Sequence, residues 1–337
     1  MTMPNPSVHR PDERRTAQSS DLSQHPGWRR TFRKGSMTLG FFFPIEAYEG
    51  DTPRLEQPQL LARRADEAGY AALWVRDVPL RDPHFGDVGQ MIDPWVFAAW
   101  IAAQTTDIAI GTGSVILPLR PSMDLAKASA SLDFISGGRL LFGTATGDRP
   151  SEFPLYDKNH AERGADFRHT LEEISGLYRN AGPLDLARKL SGVPLELLPA
   201  PPFGRVPLLV TGFAQQSIEW IATHADGWMT YPRDIAAQAK VVSSWNSAVQ
   251  VVCGPERYKP VMQSLYIDLL PEADAAPRPM HLGFKIGRNA LIALLSRYQA
   301  IGIAHTAFNL KYSSRPAPSV MDELTEYVLP NFRIDSH

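Results

Sequence analysis

The sequence predicts a single (β/α)8 barrel, a TIM-type α/β fold, and three observations lead there. Short apolar runs alternate eight times with longer amphipathic ones after Met37. The short runs are continuously apolar, as in strands of a parallel sheet covered on its outside. No GxGxxG follows the first strand, which removes the main pointer to an open doubly wound sheet. Eight is the strand number at which such a sheet closes, and 337 residues suit one barrel domain.

The elements follow in order. Leu39–Phe43 is the first strand and Gln57–Ala68 its helix; Ala72–Val75 and Pro94–Gln104 make the second pair. Ile108–Leu117, rich in β-branched residues, is the third strand, followed by a helix over Asp124–Ile135. Leu125, Ala128, Leu132 and Ile135 recur there at the spacing of one buried face. Ser136-Gly137-Gly138-Arg139 stops that helix, because glycine accepts the left-handed conformation of a C-terminal cap. Leu140–Phe142 opens the fourth strand at once, and Ala165–Tyr178 is its helix. The fifth pair is Pro207–Val210 and Gln215–His224; the sixth is Gly227–Thr230 and Asp234–Val251. Val261–Leu269 with Arg288–Tyr298, then Thr306–Leu310 with Val320–Val328, complete the count.

Two connections exceed plain links. Residues 147–164 follow the fourth strand, on the face where barrel sites are built, and are expected to close over a site. Residues 180–206 precede the fifth strand, at the opposite face, and read as structural padding.

Bulk properties narrow the function classes. The chain is 44% hydrophobic and 21% charged, with a net charge of −2. With a pI near 6.5, that excludes a broad nucleic-acid or anionic-membrane surface. The single cysteine, Cys253, cannot form an internal disulfide, so a reducing, cytoplasmic setting is expected. No apolar run of about 18 residues exists to span a membrane. Residues 1–36 begin polar and proline-bearing, without a signal peptide's apolar centre; they are expected to be a mobile tail ahead of one domain at 37–337.

Four stretches carry a family resemblance. IAIGTGSVILPLRPSMDLAKASASLDFISGGRLLFGTATGD resembles the central block of the bacterial luciferase-like, flavin-dependent oxidoreductases. GFAQQSIEWIATHADGWM resembles that family's fifth loop and helix, and MTLGFFFPIEAYEGD its opening strand. ALWVRDVPLRDPHFGDVGQMIDPW is similar to a less characterised subgroup. The resemblance implies a barrel holding reduced FMN, or a deazaflavin in some branches. It further implies oxygen activation or hydride transfer on a small organic substrate, and a homodimer. The specific expectation is a monooxygenase using reduced FMN and molecular oxygen. A separate flavin reductase is the expected electron source, since no nicotinamide fingerprint is visible.

Site residues follow from the motifs. Thr112, Gly113 and Ser114 end the third strand, where the resemblance implies a bulge with a cis Gly113–Ser114 bond pressing on the flavin ring. Thr211, Gly212, Gln216 and Ser217 lead into a helix N-terminus, whose free amides suit a phosphate. Arg168 matches a family arginine that pairs with this phosphate. Thr144 and Thr146 are placed to bond the ring or ribityl chain, although some relatives carry arginine at the latter position. Many members end the second strand in Glu-His; here Asp77 fits the acid and Val78 replaces the imidazole. Asp77 or His84 is therefore the expected proton handler or substrate anchor. Phe43, Trp74 and Tyr231 are candidate pocket walls, and Glu46 a candidate substrate contact. Two alternatives stand beside this reading. One is a metal-dependent hydrolase using Asp77, Asp82, His84 and Asp87, disfavoured because the first strand ends FFFP without His-x-His. The other is a catalytically silent flavin-binding protein on the same scaffold.

Overall fold

The computed structural model describes residues 22–85 and 92–333. Eight parallel strands form the wall: β1 (Thr38–Phe42), β2 (Ala72–Val75), β3 (Ala109–Thr112), β4 (Leu140–Ala145), β5 (Leu208–Thr211), β6 (Gly227–Thr230), β7 (Val261–Leu269) and β8 (Ile303–Asn309). Each pairs with the next in sequence, and β8 also pairs with β1, so the sheet closes. Helices α1 (Pro58–Ala68), α2 (Pro94–Ala102), α3 (Ser122–Ile135), α4 (Arg163–Tyr178), α5 (Ile218–His224), α6 (Ile235–Cys253), α7 (Arg288–Ala300) and α8 (Ala317–Glu323) connect and cover it. Among the described residues no helix is long and apolar enough to cross a membrane.

Strand alternation makes two cores. Leu39 and Phe41 face the helices, whereas Phe42 points into the lumen with Trp74, Leu141, Leu209, Met229 and Met262. Large lumen side chains need small neighbours: a Cβ on Gly111 would lie 2.2 Å from the Trp74 ring. The third strand is shorter than the apolar run suggests. It stops at Thr112, the chain kinks, and Val115–Ile116 resumes pairing against Thr144 and Ala145. The expected start of α5 at Gln215 is also displaced. Ala214 and Gln215 take φ of 45° and 55°, so the helix begins at Ile218.

The floor of the barrel corrects the expected tail. Residues 1–21 lie outside the described residues, but Pro26–Thr31 is a helix packed under the strands. His25 is fully buried and accepts from the Trp28 N–H at Nδ1, which leaves Nε2 to donate to Asp133 at 3.1 Å. That polar pair draws Asp133 inward and turns α3. Its buried side runs through Leu125, Ala126, Ser129, Ala130, Leu132 and Asp133, while Ala128 is half-buried and Ile135 exposed. Gly137 and Gly138 take the expected left-handed conformation, with φ of 69° and 84°. Arg139 then turns back beneath the sheet. It donates to the carbonyls of Ser136, Ala102, Thr105 and Ile108 and to the Thr105 hydroxyl, over 2.8–3.2 Å. Ala102 and Thr105 close α2, so one buried guanidinium ties two successive βα units together.

Inside the lumen, the Trp74 indole donates to His305 Nε2 at 3.0 Å. The other ring nitrogen, Nδ1, therefore carries the proton and donates to Thr38 Oγ1 at 2.7 Å, which in turn donates to the Thr31 carbonyl. Burial pushes the imidazole down to about 3. The unfolded chain thus binds a proton that the folded one refuses, and stability falls as pH drops from about 6.5 toward 3. The expected loss from this residue alone is about 1 kcal/mol between pH 6.5 and 5.5, steepening to about 1.4 kcal/mol per pH unit below that. Urea unfolding of His305→Gln between pH 6.5 and 5.5, above the carboxylate range, checks it. A slope equal to that of the unsubstituted chain would show that His305 titrates when folded.

Candidate active site

The C-terminal mouth of the barrel is built first by the kink after β3. Thr112 donates its hydroxyl to the Gly143 carbonyl at 2.7 Å, and the Gly113 N–H donates to Val75 at 2.7 Å. The Gly113–Ser114 bond is cis. Ser114 and Thr211 hydroxyls bond each other, and both lie against the Met229 sulfur. A Cβ on Gly113 would lie 2.5 Å from the Phe42 ring. Gly113, Ser114, Thr211, Phe42 and Met229 thus form one continuous surface. The last two were not singled out from the sequence, although strand alternation one residue before Phe43 carried the signal. Phe43 itself packs outward on Phe97, with ring centroids 5.0 Å apart, and forms no pocket wall.

The second component is the loop after β5. Gly212 is pinned at both ends: its N–H donates to the Met229 carbonyl at 2.9 Å, and its carbonyl accepts from the Trp228 indole at 2.6 Å. With φ of 58° and no atom within 4 Å of where a Cβ would stand, it borders open space. Among the described residues, the N–H groups of Phe213, Ala214, Gln215 and Ser217 have no acceptor. Successive amides around left-handed residues make a concave anion site. Ser217 caps α5 by accepting from the Trp220 N–H at 3.1 Å. Gln216 is a strut rather than a ligand. Its oxygen accepts from Arg168 at 2.7 and 3.1 Å, and its nitrogen donates to Gly164 and Ala214.

Arg168 thereby reaches the loop, with its guanidinium 5.2 Å over the Trp220 ring. A second cation, missed in the sequence, stands at the first residue of α4. Oriented with its amide oxygen toward Arg163, Gln215 accepts from that guanidinium at 3.2 and 2.5 Å. Residues 163 and 168 share no simple helical spacing, so only the packing of α4 on this loop unites them.

Other expected residues fall elsewhere. Thr144 is fully buried and bonds the Leu209 carbonyl at 2.9 Å, so it stitches β4 to β5; Thr146 sits half-buried on the rim. Asp77 is buried in a fork with Arg120, at 2.5 and 2.8 Å, and accepts the Ile116 N–H at 2.9 Å. A carboxylate so bonded holds the chain beyond the kink and is poorly placed to exchange protons. His84 is exposed, in a turn whose N–H donates to Asp82. Glu46 accepts the N–H groups of Arg54, Leu55 and Glu56, which makes it a loop cap and not a substrate contact. Trp74 lies deep in the lumen, bonded to His305, and is core. Tyr231 is half-exposed at the end of β6. Asp87 lies outside the described residues, and among those described no three potential metal ligands converge.

The 147–164 connection packs onto this mouth through Phe153, buried against Ile116 and Leu119. His160 lies edge-on to Phe153 at 4.9 Å, and buried Glu152 faces Arg149 at 3.4 Å. Burial raises the Glu152 carboxyl above the usual carboxylate range. The 180–206 connection ends on the opposite face, where Phe203 meets the His25 ring.

Residues 37–321 match the family model described as luciferase-like monooxygenase. The chain belongs to the luciferase-like monooxygenase family. An uncharacterized Mycobacterium tuberculosis protein is 28% identical over 194 residues, spanning 53% of this chain and 68% of the relative. An F420-dependent hydroxymycolic acid dehydrogenase of the same organism is 27% identical, covering 56% of this chain and 52% of that protein. Among solved structures, monooxygenase RslO1 from Streptomyces bottropensis superposes with a TM-score of 0.72 at 19% identity, covering 88% of this chain and all of that one. The oxygenating constituent of 3,6-diketocamphane monooxygenase of Pseudomonas putida, in complex with FMN, gives 0.66 at 14%, covering 89% and 100%. At these identities the two structures establish the barrel alone. The proteins this chain resembles are thus described as monooxygenases and a dehydrogenase, one in complex with FMN and one F420-dependent.

Proposed function

We propose that this protein is a flavin-dependent monooxygenase that binds reduced FMN at the barrel mouth and acts, with molecular oxygen, on a small organic substrate. The observation that carries the proposal is the anion cradle: four amides at 213–217 without an acceptor among the described residues, beside Arg163 and Arg168. Those groups take the phosphate. The Gly113–Ser114 kink, backed by Phe42 and Met229, supplies a flat apolar support for the ring, with the Ser114 and Thr211 hydroxyls at its edge. Reduced flavin, when bound, supplies the electrons for oxygen chemistry. The 147–164 segment excludes water from above. Proton handling falls to His84, whose imidazole makes no hydrogen bond among the described residues, and Asp77 acts as a positioning residue through Ile116 and Arg120. A separate reductase delivers the reduced cofactor. A homodimer and a cytoplasmic setting belong to the same proposal, the first checked by sedimentation.

One observation favours a deazaflavin as second reading: two arginines, rather than one, attend the phosphate loop, and a longer acidic tail would use both. Equilibrium titration with each reduced cofactor decides. Tighter binding of the deazaflavin selects hydride transfer; binding of neither overturns the site. Ser217→Asp keeps a good N-cap while placing an anion beside the phosphate. Flavin affinity is expected to fall at least about tenfold, with the thermal midpoint of the flavin-free protein little changed. Unchanged affinity would place the phosphate elsewhere.

A further inference from the structure

One large cavity lies away from the mouth. It occupies about 1140 Å³ under the floor of the barrel. Its walls come from segments that lie ahead of strands: Trp28 to Arg33 before β1, Asp107 before β3, Arg205 before β5 and Glu256 to Lys259 before β7, with Arg333 from the chain's end. The space is therefore on the face opposite the flavin site.

Its charge departs from that of the whole chain. The protein has 34 basic and 36 acidic residues, yet the lining holds seven Arg and Lys against three Asp and Glu. Arg205 and Asp226 cancel in a bidentate pair at 2.5 and 2.7 Å. Arg30, Lys259 and Arg333 donate to backbone carbonyls, which carry no net charge to offset theirs. Of the three, Arg30 also approaches Asp66 behind the wall, at 4.0 Å. Arg29, Arg33 and Arg257 make no side-chain hydrogen bond or ion pair among the described residues. Six cations thus share a lining with two carboxylates, those of Asp107 and Glu256. Like charges gathered in a concave space repel and focus a positive potential there, a condition that an anion relieves. Guanidinium forks suit phosphate oxygens, and the rings of Trp28 and Tyr258 in the same wall suit a planar group beside them. The volume exceeds what one small oxyanion needs and matches a ligand of nucleotide size.

We infer that this floor cavity is a binding site for an oligophosphate anion, independent of the flavin site. The chemistry is shared by an inorganic chain and by a nucleoside triphosphate, and Trp28 separates them. Calorimetric titration of the full chain at low salt uses tripolyphosphate and ATP in parallel. Both are expected to bind, and affinity falls as salt rises. Arg29→Gln/Arg33→Gln/Arg257→Gln alters three side chains that bond nothing among the described residues, so it should fold. It is expected to lower both affinities at least about tenfold and leave flavin binding unchanged. Trp28→Leu is expected to weaken ATP but not tripolyphosphate if a base stacks there; equal effects assign the site to inorganic phosphate chains. No binding at millimolar anion, or equal binding by the triple variant with its thermal midpoint intact, overturns the inference.

Discussion

Replacing Arg163 and Arg168 together by glutamine is expected to weaken reduced-flavin binding by about a hundredfold or more. A hydrogen bond to a charged group contributes about 1.5–3 kcal/mol, and two such losses at a partly shielded phosphate account for that factor. Arg168 has a second role that must be kept apart, because it also holds the Gln216 strut at 2.7 Å. Arg168→Lys serves as the control: it retains charge but loses the fork that spans the Gln216 oxygen. Fluorescence titration of flavin, with thermal unfolding of the flavin-free variants, provides both readings. If the double variant binds flavin normally while remaining folded, the phosphate does not lie at the 212–217 loop.

Arg139→Ala is expected to have the largest effect on folding, a loss of about 3–5 kcal/mol. The guanidinium is buried, and burial lowers its pKa from the usual arginine value, yet it remains charged. Removing it leaves the carbonyls of Ala102, Thr105 and Ile108 without their donor and opens a void beneath β4. Arg139→Lys recovers little, since one ammonium cannot reach the acceptors spread around the Nε, Nη1 and Nη2 edges of the planar guanidinium. Urea unfolding should show the midpoint falling for both variants. A midpoint that stays put for alanine would mean that the network contributes no net stability.

These two sites also measure how far the sequence can be read. Arg139 belongs to a contiguous signal, Ser-Gly-Gly-Arg between a helix and an apolar strand, and its cap is local chemistry. The same holds for the kink after β3: the Gly-Ser pair sits inside one recognisable stretch, and the cis bond lies at the expected position. Arg163 had no such mark. Its meaning depends on α4 packing against a loop some fifty residues later in the chain, at Gln215. Phe43, Trp74 and Glu46 failed for a related reason. Whether Phe43 faces the lumen or the helices turns on one residue of register, Trp74 faces the lumen but is taken up at depth by His305, and whether a loop carboxylate meets substrate or its own backbone turns on how the loop closes. The floor helix at Pro26–Thr31 was illegible because its ties, His25 to Asp133 and Gly27 against Arg139, join residues more than a hundred positions apart.

The sequence by itself determined the eight-fold strand–helix alternation and the glycine-marked turns. Each is written in consecutive residues through periodicity, backbone freedom or capping. The tertiary structure alone decided which side chains share the mouth, which acid is locked in an ion pair and where arginines gather under the barrel. Those outcomes arise from contacts between distant segments, and desolvation and charge pairing act on proximity in space, which chain order does not record.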